Sequence, residues 1–454
     1  MRRTWGVVAA LCALALAPSA RAADPACRLD PDPPPASERL VHERLDGLDL
    51  NVLLPPGYAS SDRRYPVLYL LHARQYSANS WLARSDVEEL SAGGGAIVVM
   101  PDTGNPGWAV DYLDGSADFE RYLLERVVPH VDGAYRTIAD GAHRAVAGMS
   151  IGGHGAMLLA ARHPDLFAAA GSFSGVVHVT VPERPYAGPG EVEPRSGAGS
   201  PGPPRGPVTG RPYSPPRDTC DEGDALGNRL TDAWSWHARN PADLAPNLRG
   251  LGLYVTAGSG VPCGPEDAND PILLAGAEPA ALALARDFDR ALADARVRHT
   301  FEPRPCGLHN MVGATRGLHS FWPLMLRSFG RPPPGRFDYR TADAEASAWG
   351  WTFRADERRA PELLEVRGAS RSGLLLVGSG TETVVTGPLF RPRALVRVTG
   401  ARPARARADS RGRLTVAVDL GPPNAAAQFA PGETSRPWVA RRVRLSVRAR
   451  RPRR

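Results

Sequence analysis

Ser150 lies in Gly148-Met149-Ser150-Ile151-Gly152, a Gly-x-Ser-x-Gly pentapeptide. Before it runs Ala145-Val146-Ala147, which reads as a short apolar strand. After it comes Ala156-Met157-Leu158-Leu159-Ala160-Ala161, which reads as an apolar helix. A serine on a sharp strand-to-helix turn is pushed out at the top of a sheet, and flanking glycines let the backbone pass closely without side-chain collision. The helix that follows aims its N-terminal N–H groups at the serine, where they can stabilise an anion. The pentapeptide alone is common among glycine-rich turns; the strand–turn–helix context gives it chemical meaning. That chemistry is nucleophilic acyl transfer, by a hydrolase or an acyltransferase.

A serine hydroxyl is a poor nucleophile at neutral pH. It needs a histidine to take its proton and an acid to orient that histidine. On an α/β-hydrolase sheet the chain order is serine, acid, histidine. Two histidines fit the last place, each in the same tripeptide: Gly307-Leu308-His309 and Gly317-Leu318-His319. Glu266, Asp267, Asp270 and Glu278 are the candidate acids, and position alone does not choose among them.

The elements that must hold these groups are legible as alternating patterns. Leu48–Leu54, Tyr65–Leu71, Ala96–Met100, Ala168–Ser174, Leu251–Thr256 and His299–Glu302 read as strands, several of them near-continuous apolar runs that suit burial on both faces. Residues 118–134 read as an amphipathic helix, and helical patterns separate several strands. The expectation is a mostly parallel α/β sheet over residues 40–330. Residues 182–219 hold eleven prolines with many glycines and few apolar residues, and read as an insertion without a core of its own. A linker is expected over 331–339. Beyond it, short strand-like runs at 363–366, 373–377, 383–385, 394–398 and 414–418 follow one another with no helix between them. Residues 340–454 therefore read as a small all-β, sandwich-like domain.

Residues 1–22 have the form of a secretory signal: Arg2 and Arg3, an apolar stretch from Val7 to Ala17 too short to span a bilayer, then Ala20-Arg21-Ala22. Residues 23–39 are proline-rich and irregular. The expectation is an exported protein, secreted or retained at the cell wall, with no transmembrane span. Removal of Cys12 with the signal leaves Cys27, Cys220, Cys263 and Cys306, an even set that suits an oxidising compartment. Cys263 and Cys306 both follow expected strands near the proposed site and are the favoured pair. None of the four has metal-ligand spacing, and the proposed chemistry calls for no metal or cofactor. All 55 basic residues are arginine, and with much alanine, glycine and proline this fits a GC-rich genome. The formal charge is +7, but Arg441–Arg454 holds eight arginines and no acid, so the rest of the chain is close to −1. Such a tail suits an anionic wall polymer or a membrane surface, or is simply a solvated basic strand with a frayed end. Nothing resembles a nucleic-acid-binding module, and the sequence does not give the oligomeric state.

Several further segments carry a family resemblance. They are Arg64-Tyr65-Pro66-Val67-Leu68-Tyr69-Leu70-Leu71-His72, Val99-Met100-Pro101-Asp102 and Gly107-Trp108-Ala109-Val110-Asp111-Tyr112. The elbow, Asn240-Pro241 and Leu253-Tyr254-Val255 continue it. With these, residues 40–330 resemble the secreted esterase family that includes the mycobacterial mycolyltransferases and is related to esterase D and feruloyl esterases, in an actinobacterial form. The resemblance implies an α/β-hydrolase fold, with the acid on the helix after the penultimate strand, which matches Glu278. It implies a histidine in a Pro-x-Gly-x-His turn, which matches Pro305-Cys306-Gly307-Leu308-His309. His319, followed by Ser320 and aromatic residues, remains the alternative. It also implies two oxyanion donors. One is the backbone N–H of Ile151; the other lies after Leu71, near Ala73 or at Arg74. His72 and His154 are read as structural, and Trp81 and Trp108 as pocket or core residues.

The preferred reading is a secreted serine esterase that acts on a carboxylic ester, with a cell-envelope glycolipid or polysaccharide ester among the substrates it allows. Acyl transfer to a sugar hydroxyl, as in the mycolyltransferases, is the close variant. The competing class is a non-catalytic wall-binding protein on a hydrolase fold.

Overall fold

A computed structural model describes residues 34–104, 107–180, 225–269, 276–431 and 438–447. The expected signal, the 182–219 insertion, Asp270, Cys27, Cys220 and the end of the arginine tail lie outside the described residues.

Eight strands form one sheet in the order β1-β2-β4-β3-β5-β6-β7-β8. They are β1 (Leu40–Leu45), β2 (Leu48–Leu53), β3 (Val67–Leu71), β4 (Ile97–Pro101), β5 (Arg144–Met149), β6 (Ala169–Phe173), β7 (Gly252–Ala257) and β8 (Thr300–Pro303). β1 and β2 form an antiparallel hairpin, and β2 meets β4 antiparallel; every other pairing in the sheet is parallel. The near-continuous apolar runs have a direct structural cause. Val67, Tyr69 and Leu71 of β3 enter one core while Leu68 and Leu70 enter the other, and Ile97 and Val99 of β4 divide from Val98 and Met100 in the same way. Helices cover both faces. The nucleophile helix (Ile151–Arg162) and the acid helix (Ala277–Asp294) pack on the first side, the latter through Ala281, Ala285, Phe288 and Leu292. The terminal helix (Met311–Ser328) packs on the second through Met311, Leu318, Phe321 and Met325. Residues 118–134 are helical as expected, with a π-helical stretch at Tyr122–Val127. The ends of β5, β6, β7 and β8 lie side by side on the same edge, where open α/β sheets bind ligands.

The C-terminal residues form two antiparallel sheets around a separate core. The smaller has the order β10-β11-β14-β17 and the larger β16-β15-β18-β13-β12-β9. The strands are β9 (Phe337–Thr341), β10 (Glu345–Ala348), β11 (Trp351–Arg354), β12 (Leu364–Ser370), β13 (Gly373–Gly378), β14 (Thr381–Val385), β15 (Leu395–Thr399), β16 (Arg405–Arg407), β17 (Thr415–Asp419) and β18 (Val439–Val447). Two sequence expectations change here. The stretch read as a linker over 331–339 is shorter, because Phe337 already pairs with β12. The start of the basic tail is an interior strand, because Val443 and Leu445 point into the core while the intervening arginines face out. β9 also docks on the hydrolase body. Tyr339 Oη donates to Arg162 O at 2.7 Å, and Arg340 N–H donates to Asn247 Oδ1 at 2.7 Å.

One buried cluster gives this sandwich a pH dependence. Glu362, Glu382 and Arg359 are buried together, with Arg359 Nη1 3.3 Å from Glu382 and 3.7 Å from Glu362. Burial pushes the Glu382 carboxyl up to about 7; the Arg359 charge opposes this and Glu362 adds to it. A carboxyl raised on folding contributes stability that is present at low pH and lost as pH climbs through its folded value. Glu382→Gln should therefore flatten the fall in melting temperature between pH 4.5 and 7, a fall worth at most about 3 kcal/mol. Thermal unfolding across that range checks it, and an unchanged slope would contradict it.

Candidate active site

The elbow after β5 is strained as the sequence requires. Ser150 has φ 55 and ψ −119, a left-handed φ unusual for a residue with a side chain. Its N–H donates to Phe173 O at 2.9 Å, which anchors the turn to β6. The flanking glycines are needed by space: a Cβ on Gly148 would lie 2.5 Å from the carbonyl of Gly152, and one on Gly152 would lie 2.3 Å from His72 O and 2.7 Å from Leu71 O. Gly152→Ala should thus push the elbow against the loop after β3. The expected loss is about 1–3 kcal/mol of stability, together with most ester turnover. Thermal unfolding and an ester assay check it; wild-type behaviour in both would contradict the packing argument.

The structure brings Ser150, His309 and Glu278 together in one chain of hydrogen bonds. Ser150 Oγ lies 2.9 Å from His309 Nε2, and His309 Nδ1 lies 2.8 Å from Glu278 Oε2. The three are nearly sealed from solvent, at 6 %, 4 % and 3 % exposure. With Nδ1–H donating to the carboxylate, Nε2 is left to accept the hydrogen bond of the serine hydroxyl, an arrangement that can serve as a general base. Glu278 stands in the first turn of its helix, where a negative charge is favoured. Its other oxygen, Oε1, accepts from Ser174 Oγ at 2.8 Å and from the Gly258 N–H. The carboxylate is thus fixed by three donors, drawn from the ends of β6, β7 and β8. Sequence reasoning missed Ser174 and Gly258. Neither belongs to a motif, though Ser174 ends the run read as a strand and has a positive φ of 52.

The histidine loop is bracketed from below. Cys263 and Cys306 form a disulfide, as favoured from the sequence, tying the loop after β7 to the loop after β8. Beneath it Asp267 is fully buried. Its Oδ2 accepts from Cys263 N–H at 2.5 Å and its Oδ1 from Arg316 Nη1 at 2.8 Å; its backbone carbonyl accepts from Asn310 Nδ2 at 3.0 Å. Asn310, beside His309, caps the terminal helix through Gly313 N–H at 3.0 Å. Asp267 and Glu266, both candidate acids by sequence, are therefore partners of Arg316 instead. His319, the alternative histidine, bonds Asp86 at 2.8 Å and not Ser150; with Arg84, Arg304 and Arg316 it lines a groove of about 780 Å³.

Of the two expected oxyanion positions, Ile151 directly follows the serine, and Arg74 lies in the loop after β3, whose Leu71 O and His72 O approach the elbow at Gly152. Ile151 opens the nucleophile helix, so its N–H is among the first-turn donors that have no acceptor within the helix. Arg74 follows a peptide whose carbonyl is held. Ala73 O accepts from His72 Nδ1–H at 2.8 Å and from Tyr76 N–H at 3.2 Å. In a trans peptide the N–H points opposite the C=O, so these bonds fix the direction of the Arg74 N–H as well. His72 Nε2 in turn accepts from Thr103 N–H at 3.0 Å, which leaves the imidazole neutral with its proton on Nδ1. His154 is buried; burial lowers it to about 4, against the hydrogen bond that its Nδ1–H gives Val176 O. It is neutral at physiological pH. Trp81 is a core residue, donating from Nε1 to Leu71 O at 3.0 Å, whereas half-buried Trp108 lies edge-on to His154 at 5.0 Å.

This fold is that of an α/β-hydrolase. The sequence model of the family described as Putative esterase matches residues 46–310, more than half of the chain, and the chain belongs to that family. An esterase of Mycobacterium tuberculosis is 39 % identical over 133 residues, 28 % of this chain and 28 % of that one. An endo-1,4-beta-xylanase/feruloyl esterase of Xylanibacter ruminicola is 34 % identical over 142 residues, 28 % of this chain and 19 % of that one. The MPT51/MPB51 antigen of Mycobacterium bovis is 37 % identical over 114 residues, 24 % of this chain and 38 % of that one. The chain therefore spans under two fifths of the length of each of these relatives. Among solved structures, a ferulic acid esterase is similar with a TM-score of 0.43 and 22 % identity, over 62 % of this chain and 93 % of that one. Mycobacterium tuberculosis MPT51 is similar with a TM-score of 0.44 and 18 % identity, over the same shares. Among the described residues no helix is long and apolar enough to cross a membrane.

Proposed function

We propose that this protein is a secreted serine esterase that works through an acyl-Ser150 intermediate. The observation that carries the proposal is the unbroken chain from Ser150 Oγ through His309 to Glu278 at the elbow. As Ser150 attacks the ester carbonyl, its proton passes to His309 Nε2 and the developing imidazolium lies against Glu278. The carbonyl oxygen becomes an oxyanion, stabilised by the N–H groups of Ile151 and Arg74. The proton then passes from His309 to the departing alcohol, leaving the acyl-serine. In the second half His309 takes a proton from water, which attacks the acyl-serine; the proton then passes to Ser150 Oγ as its bond to the acyl carbon breaks and the acid is released. The disulfide and the signal-like N-terminus support export into an oxidising compartment.

Acyl transfer differs only in the second half, where a sugar hydroxyl replaces water. The feruloyl esterase relative and the resemblance to mycolyltransferases keep both outcomes within this reading. Turnover of a p-nitrophenyl ester series from acetyl to long acyl chains, with and without trehalose or glucose as acceptor, tests it. Free acid as the product regardless of sugar supports hydrolysis; an acyl sugar at the expense of acid supports transfer. No turnover of any ester would remove the esterase reading and favour a wall-binding protein on this fold.

A further inference from the structure

The β16-β15-β18 half of the larger C-terminal sheet concentrates positive charge on its outer face without an acid beside it among the described residues, whereas on β12 Glu365 pairs with Arg340 and Arg367. Strand alternation sends Val396, Val398, Ala406, Val443 and Leu445 into the core. The residues between them, Arg397, Arg405, Arg407, Arg442 and Arg444, face outward and are exposed. In register, Arg397 stands directly opposite Arg405, Leu395 opposite Arg407, Thr399 opposite Arg444 and Ser446 opposite Arg397. None of the five arginines forms an ion pair among the described residues, although ion pairs are common elsewhere on this chain. The outward positions of the neighbouring β13 are Gly373, Leu375 and Val377, which add no acid. Like charges directly across a strand pair oppose sheet formation. Arg397 facing Arg405 therefore has an electrostatic cost that no ion pair among the described residues relieves.

We propose that the outer face of β18, β15 and β16 is a docking surface for an anionic polysaccharide. Charge complementarity identifies the partner: a chain carrying carboxylates would relieve the repulsion that the fold leaves in place, and opposite-sign potential would steer it there. The face is polar between the arginines, with Thr399 and Ser446 exposed. Among the described residues of these strands only Leu395 and the terminal Val447 are exposed large apolar side chains, which is too little to seat a membrane. The location suits tethering. β9, at the other edge of this sheet, is the strand that docks on the nucleophile helix. β16 lies five strand spacings away, roughly 24 Å, so a polymer held there leaves the catalytic edge open. The inference stands independently of the esterase reading.

The test is binding of the whole mature protein to polygalacturonate by affinity electrophoresis, beside neutral dextran and phosphatidylglycerol vesicles. The expected result is retardation by polygalacturonate but not dextran, weakening as salt is raised. Arg397→Glu/Arg405→Glu/Arg444→Glu should weaken it by about tenfold or more while leaving ester turnover unchanged. If that triple variant does not fold, Arg405→Glu alone serves. It places an opposite charge across from Arg397, so it should weaken binding by about threefold with an equal or higher melting temperature. Absence of wild-type binding, equal binding by the folded variant, or binding to the vesicles and not to polygalacturonate would each overturn the proposal.

Discussion

Ser150→Ala is expected to lower p-nitrophenyl ester turnover by about 10⁴-fold or more, with the melting temperature close to wild type. The magnitude follows from what the hydroxyl alone supplies. Without it no covalent intermediate forms, and His309 and the oxyanion donors are left with the direct attack of water on the ester. The fold should tolerate the change. The elbow is held by the Ser150 N–H to Phe173 and by the flanking glycines, neither of which the substitution touches. A small reduction, or a loss matched by unfolding, would contradict this role.

Glu278→Gln should rank second, with a fall of about 10³- to 10⁴-fold in kcat and little change in KM. The amide keeps the size of the carboxylate but changes what it offers. Oε2 accepts from His309 Nδ1–H, while Oε1 accepts from Ser174 and Gly258. A glutamine has one carbonyl oxygen and one NH₂. If the oxygen serves Ser174 and Gly258, the NH₂ faces His309 and draws the imidazole into the tautomer that carries its proton on Nε2, where it cannot receive one from Ser150. If the oxygen serves His309, an NH₂ is set against the Gly258 N–H donor. Either arrangement also removes the negative charge that stabilises the imidazolium. Steady-state kinetics on a short-chain ester check it, and a kcat within tenfold of wild type would place the orienting acid elsewhere.

The sequence made the sheet legible where both faces are covered, because such strands are apolar throughout: β3, β4, β6 and β7 all stand where runs of that kind stand. It made edge strands poorly legible. β1, Leu-Val-His-Glu-Arg-Leu, lies at the sheet edge with polar residues half-buried or exposed, so its alternation carries little apolar signal. β18 was legible as a basic strand but not as an interior one, since Arg441, Arg442 and Arg444 dominate a segment in which only Val443 and Leu445 are buried. At the site, the elbow announced Ser150 locally, through glycines that the close approach of His72 O and Gly152 requires. The acid and histidine were separated from their rivals only by family resemblance. Their selection depends on which loops meet in space, and Asp267 lies on a loop that supports His309 without facing it. Ser174 and Gly258 left no signal, because each acts through a single polar atom placed by the end of its strand.

The most direct test of the central claim is mass spectrometry of the mature protein after brief exposure to a fluorophosphonate probe. The account predicts one adduct per chain, on the peptide that contains Ser150, with loss of ester turnover in proportion to labelling and no adduct on Ser150→Ala. Ester turnover that survives while Ser150 stays unlabelled, or an adduct mapping to another residue, would contradict it.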